Sequence, residues 1–277
     1  MRIVKTPCTA AVSLLALVAC SPTAQPPAGG PPPPPYLIGT GFGTNVTTQF
    51  DIATGEVTLT ATGEPPVTIT NLLSADPNIR EYRNGGGAGP LGFSSAMTTH
   101  STSSGFSSGR SQVYFTGVGS PAVFAGARIT RTNPTQVPAA GSASYAGNYT
   151  GYLIDEADGS LQAIIRGNAA LTANFAGGAT ISGTIDSRSD GTSTYGDITL
   201  NPAAISSSGA FASSGNTTSG GGRQGALVNQ TVAADGRYDG FLLGNSADRV
   251  VGIVNLDHSS ATLPLTSYQE FGAFSGQ

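Results

Sequence analysis

The sequence predicts an all-β protein whose C-terminal half closes into a small antiparallel barrel of about eight strands. Glycine is abundant, and its combination with threonine, valine, isoleucine and tyrosine favours strands joined by tight turns. Few windows carry the stripe of long apolar side chains that an amphipathic helix needs. From residue 141 onwards, small and bulky apolar residues alternate along the chain, which fits the tapering interior of a closed barrel.

The N-terminus carries the features of a bacterial lipoprotein signal peptide. Two basic residues precede an apolar run over residues 8–19, which is too short to span a bilayer but suits a signal-peptide core. The run ends in Leu17-Val18-Ala19-Cys20, which resembles a lipobox, where the cysteine thiol takes a diacylglycerol. We therefore predict a signal peptide over residues 1–19 and lipidation of Cys20. The alternative is an ordinary signal peptide that is cut elsewhere.

A lipid anchor on Cys20 makes the membrane the first expected partner. Two or more acyl chains on one cysteine suffice for stable anchoring, whereas one chain is marginal. Ser21 stands where an aspartate would signal retention in the inner membrane, so we expect an outer-membrane protein with a surface-exposed body. Residues 20–35 are rich in proline and end in five consecutive prolines, which predicts an extended spacer.

The composition of the mature chain excludes several classes of function. Removal of residues 1–19 leaves 277 − 19 = 258 residues, enough for one large domain or two small ones. The lipidated cysteine is then the last one, so disulfides and cysteine-based metal sites are excluded. Ten arginines stand against sixteen acidic residues, a net charge of 10 − 16 = −6 without any lysine. Such a chain lacks the basic face that nucleic-acid binding needs.

Residues 36–140 predict a less regular β region. Runs of β-branched and apolar residues favour strands at five places, and the glycines at residues 85–87 mark a loop. The stretch from Ser94 to Ser111 is dense in serine and threonine and has little to bury, so we expect it to be mobile. The five predicted strands are Thr47–Ile52, Glu56–Thr62, Val67–Thr70, Ser111–Thr116 and Val123–Ile129.

Residues 141–277 are more regular and predict the barrel. Alternating runs give about eight strands in a meander, separated by the hairpin signals Asp158-Gly159, Asp190-Gly191 and Asp235-Gly236. Closure into a barrel removes the exposed strand edges that invite aggregation. Most aromatic residues occur at strand spacing, which predicts core positions rather than a binding surface. They are Tyr145, Tyr149, Phe175, Phe211, Tyr238, Phe241, Phe271 and Phe274.

Three segments resemble the barrel domain of transferrin-binding protein B-like lipoproteins. Residues 136–151, QVPAAGSASYAGNYTG, are similar to the Pro–small–Gly entry and Tyr-x-Gly first strand of that family. Residues 238–254, YDGFLLGNSADRVVGIV, resemble its late hairpin, and residues 271–274, FGAF, resemble its last strand. Together the three segments cover residues 136–277 in the family's order and spacing.

The resemblance implies an eight-stranded antiparallel barrel at residues 141–277, preceded by a handle-like β subdomain at residues 36–140. It also implies an outer-membrane surface lipoprotein that binds host or environmental iron proteins, haem carriers or complement regulators. The chain departs from the family's host-transferrin receptors, because it has room for one handle–barrel lobe rather than two and lacks their lysine-rich loops. Transferrin itself is therefore not the expected ligand.

One short motif raises the question of catalysis. Residues 105–109, GFSSG, match the G-x-S-x-G pattern of a nucleophile elbow, with Ser107 as the nucleophile and His258 following in hydrolase order. That elbow needs a buried strand, a sharp turn and then a helix. Here the motif lies in a Ser- and Gly-rich tract without a helical pattern after it. We therefore predict no catalytic residue and no enzyme.

The two histidines offer little for a metal or haem site. Zinc catalysis needs three protein ligands around an open position, and Asp257 adjoins His258 on a strand where neighbouring side chains point to opposite faces. A haem ligand would come from His100, Met97 or Tyr82, but nothing in the sequence pairs them. We predict surface histidines, no metal site and no cofactor.

A carboxylate cluster lies between the first two predicted barrel strands. Residues 155–159, DEADG, lack the D-x-D-x-D-G spacing of a calcium-binding loop. The hypothesis of a hairpin turn at this position explains the cluster better than the hypothesis of a calcium site.

The sequence favours a non-enzymatic surface lipoprotein that binds a protein or haem-type partner, with a role in iron or nutrient acquisition. Loops at the ends of the barrel or the handle would carry the binding, because a rigid barrel positions loops well. The sequence does not single out the binding residues. Two alternatives stay open: a structural envelope lipoprotein without a soluble ligand, and the least favoured, a secreted serine hydrolase.

Overall fold

A computed structural model describes residues 46–51, 56–76, 78–87, 90–105, 107–117, 120, 124–155, 159–213, 218–220, 235–259 and 267–277. Within these residues the chain forms seventeen β-strands in three sheets. The same residues form no helix, and thus none of membrane-spanning length. The predicted signal peptide, Cys20 and the proline-rich spacer lie outside the described residues, so lipidation of Cys20 stays a prediction.

Two small antiparallel sheets come first in the chain, and each is a meander of strands in sequence order. The three-stranded sheet consists of β1 (Val46–Phe50), β2 (Val57–Ala61) and β3 (Val67–Ile69). The five-stranded sheet consists of β4 (Leu72–Ala75), β5 (Ile79–Gly85), β6 (Phe93–Ser104), β7 (Ser107–Thr116) and β8 (Phe124–Arg131).

The third sheet contains all the remaining strands and begins at Ser142. They are β9 (Ser142–Asp155), β10 (Leu161–Asn174), β11 (Thr180–Ser189), β12 (Asp197–Ala204), β13 (Ala210–Ala212), β14 (Thr218–Gly220), β15 (Asp235–Leu243), β16 (Arg249–Ser259) and β17 (Ser267–Gly276).

This third sheet is a nearly closed antiparallel barrel with room for eight strands around its wall, as the sequence predicted. The last strand, β17, pairs with the first, β9. Two short strands fill the eighth position between β12 and β15, since β13 pairs with β15 and β14 pairs with β12. The Tyr238 hydroxyl reaches from β15 across this position, where the carbonyl oxygens of Ile181, at 2.9 Å, and Asn201 accept its hydrogen bond. The phenol therefore links both sides of the seam.

Aromatic rings inside the barrel lie over glycines of neighbouring strands. A Cβ atom at Gly272 would come within 2.3 Å of the Tyr149 ring, and one at Gly252 within 2.1 Å of the Phe274 ring. Gly151 pairs with Gly272 across β9 and β17 and also lies beneath Tyr149. The alternation of small and bulky residues in the sequence thus has a direct cause, because only glycine leaves room for these rings.

The five-stranded sheet lies between the three-stranded sheet and the outer wall of the barrel. Alternate side chains point to opposite faces of each strand. One face of β6 to β8 packs against barrel residues such as Tyr152 and Ile253. The other face, with Tyr82 and Met97, packs against apolar side chains of β2 and β3. The described chain therefore has three layers of β structure, with separate cores between them.

The eight aromatic residues predicted for the barrel core are all buried, but two of them lie outside the barrel. Phe241 and Phe271 pack between the barrel wall and the five-stranded sheet. The other six belong to the core inside the barrel. The expectation of a position in the barrel core was wrong for these two, because the barrel wall has a second buried face wherever the five-stranded sheet covers it.

Two further expectations are corrected by the strand pairing. The tract from Ser94 to Ser111, expected to be mobile, forms most of the β6–β7 hairpin, because its hydroxyl groups find hydrogen-bond partners between the sheets. Asp235-Gly236, expected to form a turn, begins β15 and pairs with Leu256 and Asp257. The turn of that hairpin lies after Leu243 instead, where Gly244 and Ala247 have positive φ angles of 84° and 54°.

Candidate functional site

A network of charged and hydrogen-bonding side chains lies inside the barrel. Glu270 on β17 is fully buried and forms an ion pair with the guanidinium of Arg188 on β11. The Tyr149 hydroxyl donates a hydrogen bond to Glu270 Oε1 at 2.6 Å, and His258 Nε2 lies 2.9 Å from Glu270 Oε2. Four strands therefore meet at one carboxylate.

The surroundings of Glu270 set the charge states of this network. Burial by itself raises the pKa of the Glu270 carboxyl, but the Arg188 charge and the His258 hydrogen bond outweigh it and hold that pKa well below its usual range. Burial, followed by the Glu270 charge, raises the pKa of Tyr149 well above its usual value. At neutral pH, Glu270 is therefore an ionised acceptor and Tyr149 a neutral donor.

Apolar side chains close the barrel on either side of this network. One cluster contains Leu153, Ala163 and Ile165, with Tyr195 and Tyr268 packed against it. The larger cluster fills the rest of the interior with buried aromatic and aliphatic side chains. Since an eight-stranded barrel is just wide enough to be filled by its own side chains, this interior is a packed core rather than a ligand chamber.

A second polar region joins the five-stranded sheet to the barrel wall. His100 Nε2 lies 3.1 Å from Thr150 Oγ1, and the Thr98 and Tyr152 hydroxyls lie 3.0 Å apart. Ser111 donates to the carbonyl oxygen of Phe274 at 2.7 Å. Burial lowers the pKa of His100 to about 4, so this histidine is neutral at physiological pH. These contacts hold the sheet on the barrel.

The predicted serine motif forms a hairpin turn rather than a nucleophile elbow. Ser107 begins β7, directly after the turn that follows β6, and no helix follows it in the described chain. Its hydroxyl donates to the carbonyl oxygen of Asn133 at 3.2 Å. His258 contacts Glu270 on the far side of the barrel wall and does not contact Ser107. The geometry of an activated serine is therefore missing at Ser107.

The candidate haem ligands are distributed over separate layers. Tyr82 and Met97 pair across β5 and β6 and are buried beneath the three-stranded sheet. His100 is fully buried on the opposite face, toward the barrel. The expectation of a surface histidine was wrong for His100, since the serine- and threonine-rich strand that carries it is itself buried. The three side chains do not converge on a common site.

The remaining candidates from the sequence are the Asp257–His258 pair and the carboxylate cluster at residues 155–159. His258 is half-buried inside the barrel mouth, whereas Asp257 is exposed, so the two side chains do point to opposite faces. Asp155 and Gly159 frame the connection between β9 and β10, where Asp155 N donates to the carbonyl oxygen of Ser160 at 2.9 Å. Among the described residues, no group of three potential metal-ligating side chains lies close together.

The outer surface offers exposed apolar groups and clefts. Leu72 and Leu73 on the edge strand β4 are 38% and 50% exposed, and Leu91 is 37% exposed. A cleft of about 450 Å³ lies where β8, the β12–β13 turn and β15 meet. There the Arg131 guanidinium lies 4.4 Å from the centre of the Phe241 ring, and the carbonyl oxygen of Ser208 accepts its hydrogen bond at 2.5 Å.

Sequence reasoning missed the two most deeply buried charges, Arg188 and Glu270. A signal for Glu270 existed, because it shares the inward alternation of Gly272 and Phe274 on the last strand. Arg188 gave no such signal, since Ser187 before it has a positive φ of 53° and the β10–β11 pairing shifts register there. An irregularity of this kind changes which side chains point inward and is not visible in the alternation.

The described fold defines a class of protein: a packed β-barrel lobe with a five-stranded sheet on its wall and a further small sheet outside. Similar solved structures are those of transferrin binding protein B (TbpB). Intact Ap-TbpB, with its N and C lobes, is 10% identical over 84% of this chain and 66% of that chain, with a TM-score of 0.41. Two mutants of TbpB from Haemophilus parasuis Hp5, described as a vaccine antigen, are also similar.

The double mutant is 12% identical over 83% of this chain and 44% of that chain, with a TM-score of 0.38. The single mutant is 9% identical over 84% of this chain and 66% of that chain, with a TM-score of 0.35. The chain thus spans less than two thirds of the length of these structures. No family model matches the chain, and no curated protein matches it in sequence.

Proposed function

We propose that this chain is a lipid-anchored protein of the outer-membrane surface that captures a protein ligand with the outside of its β body. The observation that carries this proposal is the packed interior of the barrel, where aromatic rings lie over glycines and the buried Arg188–Glu270 ion pair lies among them. Among the described residues, a barrel interior packed in this way leaves no chamber for a small ligand. Its functional surface is therefore external.

An iron-carrier protein is the proposed ligand class. The family resemblance at residues 136–277 supports this choice, and the neighbouring solved structures are named for transferrin binding. A haem group held directly by this chain fits less well, since His100, Met97 and Tyr82 are buried in separate layers. A haem that arrives inside a carrier protein needs no ligand from this chain.

Two exposed leucines mark a surface region where the proposed ligand binding can be tested. Leu72 and Leu73 lie next to each other on an edge strand, so their side chains point to opposite faces and both are exposed. Edge strands with exposed apolar groups pair readily with other chains. We include this edge of the five-stranded sheet in the proposed contact surface.

The anchor is tested in cells that produce the full chain. Labelled palmitate should be incorporated into the wild-type protein and should be absent from the Cys20→Ala variant, which should also leave the membrane fraction. A protease added to intact cells should remove the wild-type body. Full protection from the protease would place the body inside the envelope and contradict a surface receptor.

Ligand capture is tested with the full chain in a neutral detergent by surface-based binding measurements. The analytes are an iron-loaded carrier protein, its iron-free form and a haem-loaded carrier protein, with transferrin as one member of the series. We expect a dissociation constant in the micromolar range or below for one of them, and weaker binding for Leu73→Ser. Leu91→Ser, which changes another exposed leucine outside the edge strand β4, is the matched control. Absence of binding by all carriers, together with an altered envelope in a deletion strain, would indicate a structural lipoprotein.

A further inference from the structure

Strand β4 forms one end of the five-stranded sheet and pairs with β5 on one side. Its other side pairs with no strand of the described chain, so it presents backbone N–H and C=O groups to a possible further strand. The pairing with β5 shifts register between Leu72 and Ser74, and a bulged residue such as Leu73 is left unpaired. The β4 edge, defined as Leu72–Ala75, is therefore open to strand pairing.

The two ends of the five-stranded sheet differ in how they are protected from other chains. Charged side chains and proline on an edge strand oppose pairing with a further strand. The opposite end strand, β8, carries Arg128 and Arg131, and the Arg131 guanidinium donates to the carbonyl oxygen of Ser208 in the barrel. Strand β4 has the sequence LLSA, without charge or proline. Its short length limits backbone pairing, so a partner strand must also use side-chain contacts.

The leucines of the β4 edge supply the first of these side-chain contacts. Of the three large apolar side chains that are exposed in the described chain, Leu72 and Leu73 lie on this edge, and Leu91 lies outside β4. Burial of exposed apolar surface beneath the side chains of an added strand favours binding. The β4 edge therefore combines an open backbone with apolar side chains that a partner can cover.

Arg80 places a positive charge beside the same edge. It lies opposite Ala75 on β5, is exposed, and forms no ion pair or hydrogen bond through its side chain within the described part of the chain. The adjacent Glu81 is held by Arg166 toward the barrel, and Asp76 accepts N–H groups of the β4–β5 turn through Oδ1. The Arg80 guanidinium is therefore available to a carboxylate from outside.

The strand spacing brings Arg80 within reach of an added strand. Neighbouring strands lie about 4.8 Å apart, so a residue of the added strand next to Ala75 lies about 10 Å from the Arg80 backbone. An arginine and a glutamate side chain together span that distance. A second copy of this chain, paired antiparallel about Leu73, would bring Asn71 next to Ala75 and thus no carboxylate to Arg80. Charge complementarity therefore favours a different chain with an acidic residue.

We propose that the β4 edge binds an extended, acidic-and-apolar segment of a partner protein by strand addition, with apolar side chains over Leu72 and Leu73 and a carboxylate at Arg80. The inference rests on the proposed function, since it describes how the external protein ligand is held. Main-chain hydrogen bonds contribute affinity in this mode, and alternate side chains contribute specificity.

The test uses the full chain in a neutral detergent and a ten-residue synthetic peptide of alternating valine and threonine with one glutamate. The matched peptide has lysine in place of that glutamate. Hydrogen exchange measured by mass spectrometry should slow in residues 72–75 when the glutamate peptide is added, and should stay unchanged in β8. The lysine peptide should bind about fivefold more weakly or worse, as expected for loss of one exposed ion pair.

Variants of exposed residues separate backbone pairing from charge. Leu73→Lys puts a charge on the edge and should weaken peptide binding by about tenfold or more, whereas Leu91→Lys should bind as the wild type does. Arg80→Glu should reverse the preference, so that the lysine peptide binds more tightly than the glutamate peptide. Equal binding of both peptides by the wild type and Arg80→Glu would overturn the role of Arg80 and the proposal with it.

Exchange measurements with the carrier proteins distinguish this inference from the proposed function. A carrier that binds without slowing exchange in residues 72–75 overturns strand addition and leaves ligand capture in place. Peptide protection of residues 72–75 in a chain that binds no carrier supports strand addition and contradicts the proposed ligand class. Absence of protection by both the peptides and the carriers overturns strand addition.

Discussion

His258 on β16 and Glu270 on β17 are diagonal neighbours inside the barrel, with His258 Nε2 2.9 Å from Glu270 Oε2. Glu270 lies between Gln269 and Phe271 on β17, and its carboxylate is fully buried. It is held by Arg188, Tyr149 and His258 together. A single carboxylate thus ties four barrel strands, and its charge is stabilised only while its partners stay in place.

Loss of the Glu270 charge should destabilise the protein strongly. The Glu270→Gln variant leaves Arg188 buried without a counter-ion, which costs about 3–5 kcal/mol in comparable buried pairs. Urea unfolding of the full chain in a neutral detergent measures the change. Asp257→Asn, which neutralises an exposed carboxylate on the neighbouring strand, should change the free energy of unfolding by less than about 0.5 kcal/mol. Equal effects of the two variants would contradict the role given to Glu270.

Stability should fall with acid, and His100 should account for part of the loss. Its pKa of about 4 in the folded protein lies below the usual 6.5, so the unfolded chain binds a proton first as the pH falls. Full stability is therefore present above about pH 6.5 and declines toward pH 4, by about 3 kcal/mol from this group. His100→Gln should show a shallower decline over that interval in urea unfolding at several pH values. A variant with the wild-type slope would show that His100 is not the group that titrates.

Protonation of Glu270 should also lower the stability of the protein, but at a lower pH than protonation of His100. Since its pKa is depressed in the folded protein, its contribution to stability is present above the unfolded pKa of about 4.5 and is lost as the pH falls further. The Glu270→Gln variant should therefore lose less stability below pH 4.5 than the wild type loses. The measurement is the same unfolding series extended to lower pH.

A methyl group at Gly272 should be poorly tolerated. Its carbon would lie 2.3 Å from the Tyr149 ring, which cannot move away without leaving Glu270. We expect Gly272→Ala to lower the free energy of unfolding by about 1–3 kcal/mol, as overpacked cores do. Gly276→Ala is the matched control on the same strand, since its new Cβ would find its nearest neighbour at 3.1 Å. A neutral Gly272→Ala would mean that the ring and strand can separate freely.

Removal of the Tyr238 hydroxyl should loosen the barrel seam. Tyr238→Phe leaves the carbonyl oxygens of Ile181 and Asn201 without their shared donor in a buried position, at a cost of about 1–2 kcal/mol. Hydrogen exchange should quicken in β11 and β12 first, because these strands border the short-stranded eighth position. Tyr195→Phe, which removes a hydrogen bond to Asp190 in a half-buried turn, should have the smaller effect. Uniform exchange changes throughout the barrel would contradict a local role.

Local sequence patterns were enough to predict the barrel, because period-two alternation reports directly on the two faces of a strand. The positions of Tyr149, Leu171 and Phe274 follow from that alternation alone. The same rule failed for residues 94–111, where serines and threonines form buried strands. The composition of this segment predicted exposure. Burial of a hydroxyl group depends instead on whether it finds a hydrogen-bond partner, and these partners lie far away in sequence.

The amino-acid sequence alone was enough to predict the β class and the meander order after residue 141, since both depend on neighbouring residues; lipidation of Cys20 stays a prediction from the same kind of local pattern. The partners of Glu270 and Arg128 were decided by tertiary structure. Arg188 is brought to Glu270 from 82 residues away, and Thr48 to Arg128 from 80 residues away. Long-range charge pairing depends on strand register and layer packing, and no local pattern in the chain encodes either.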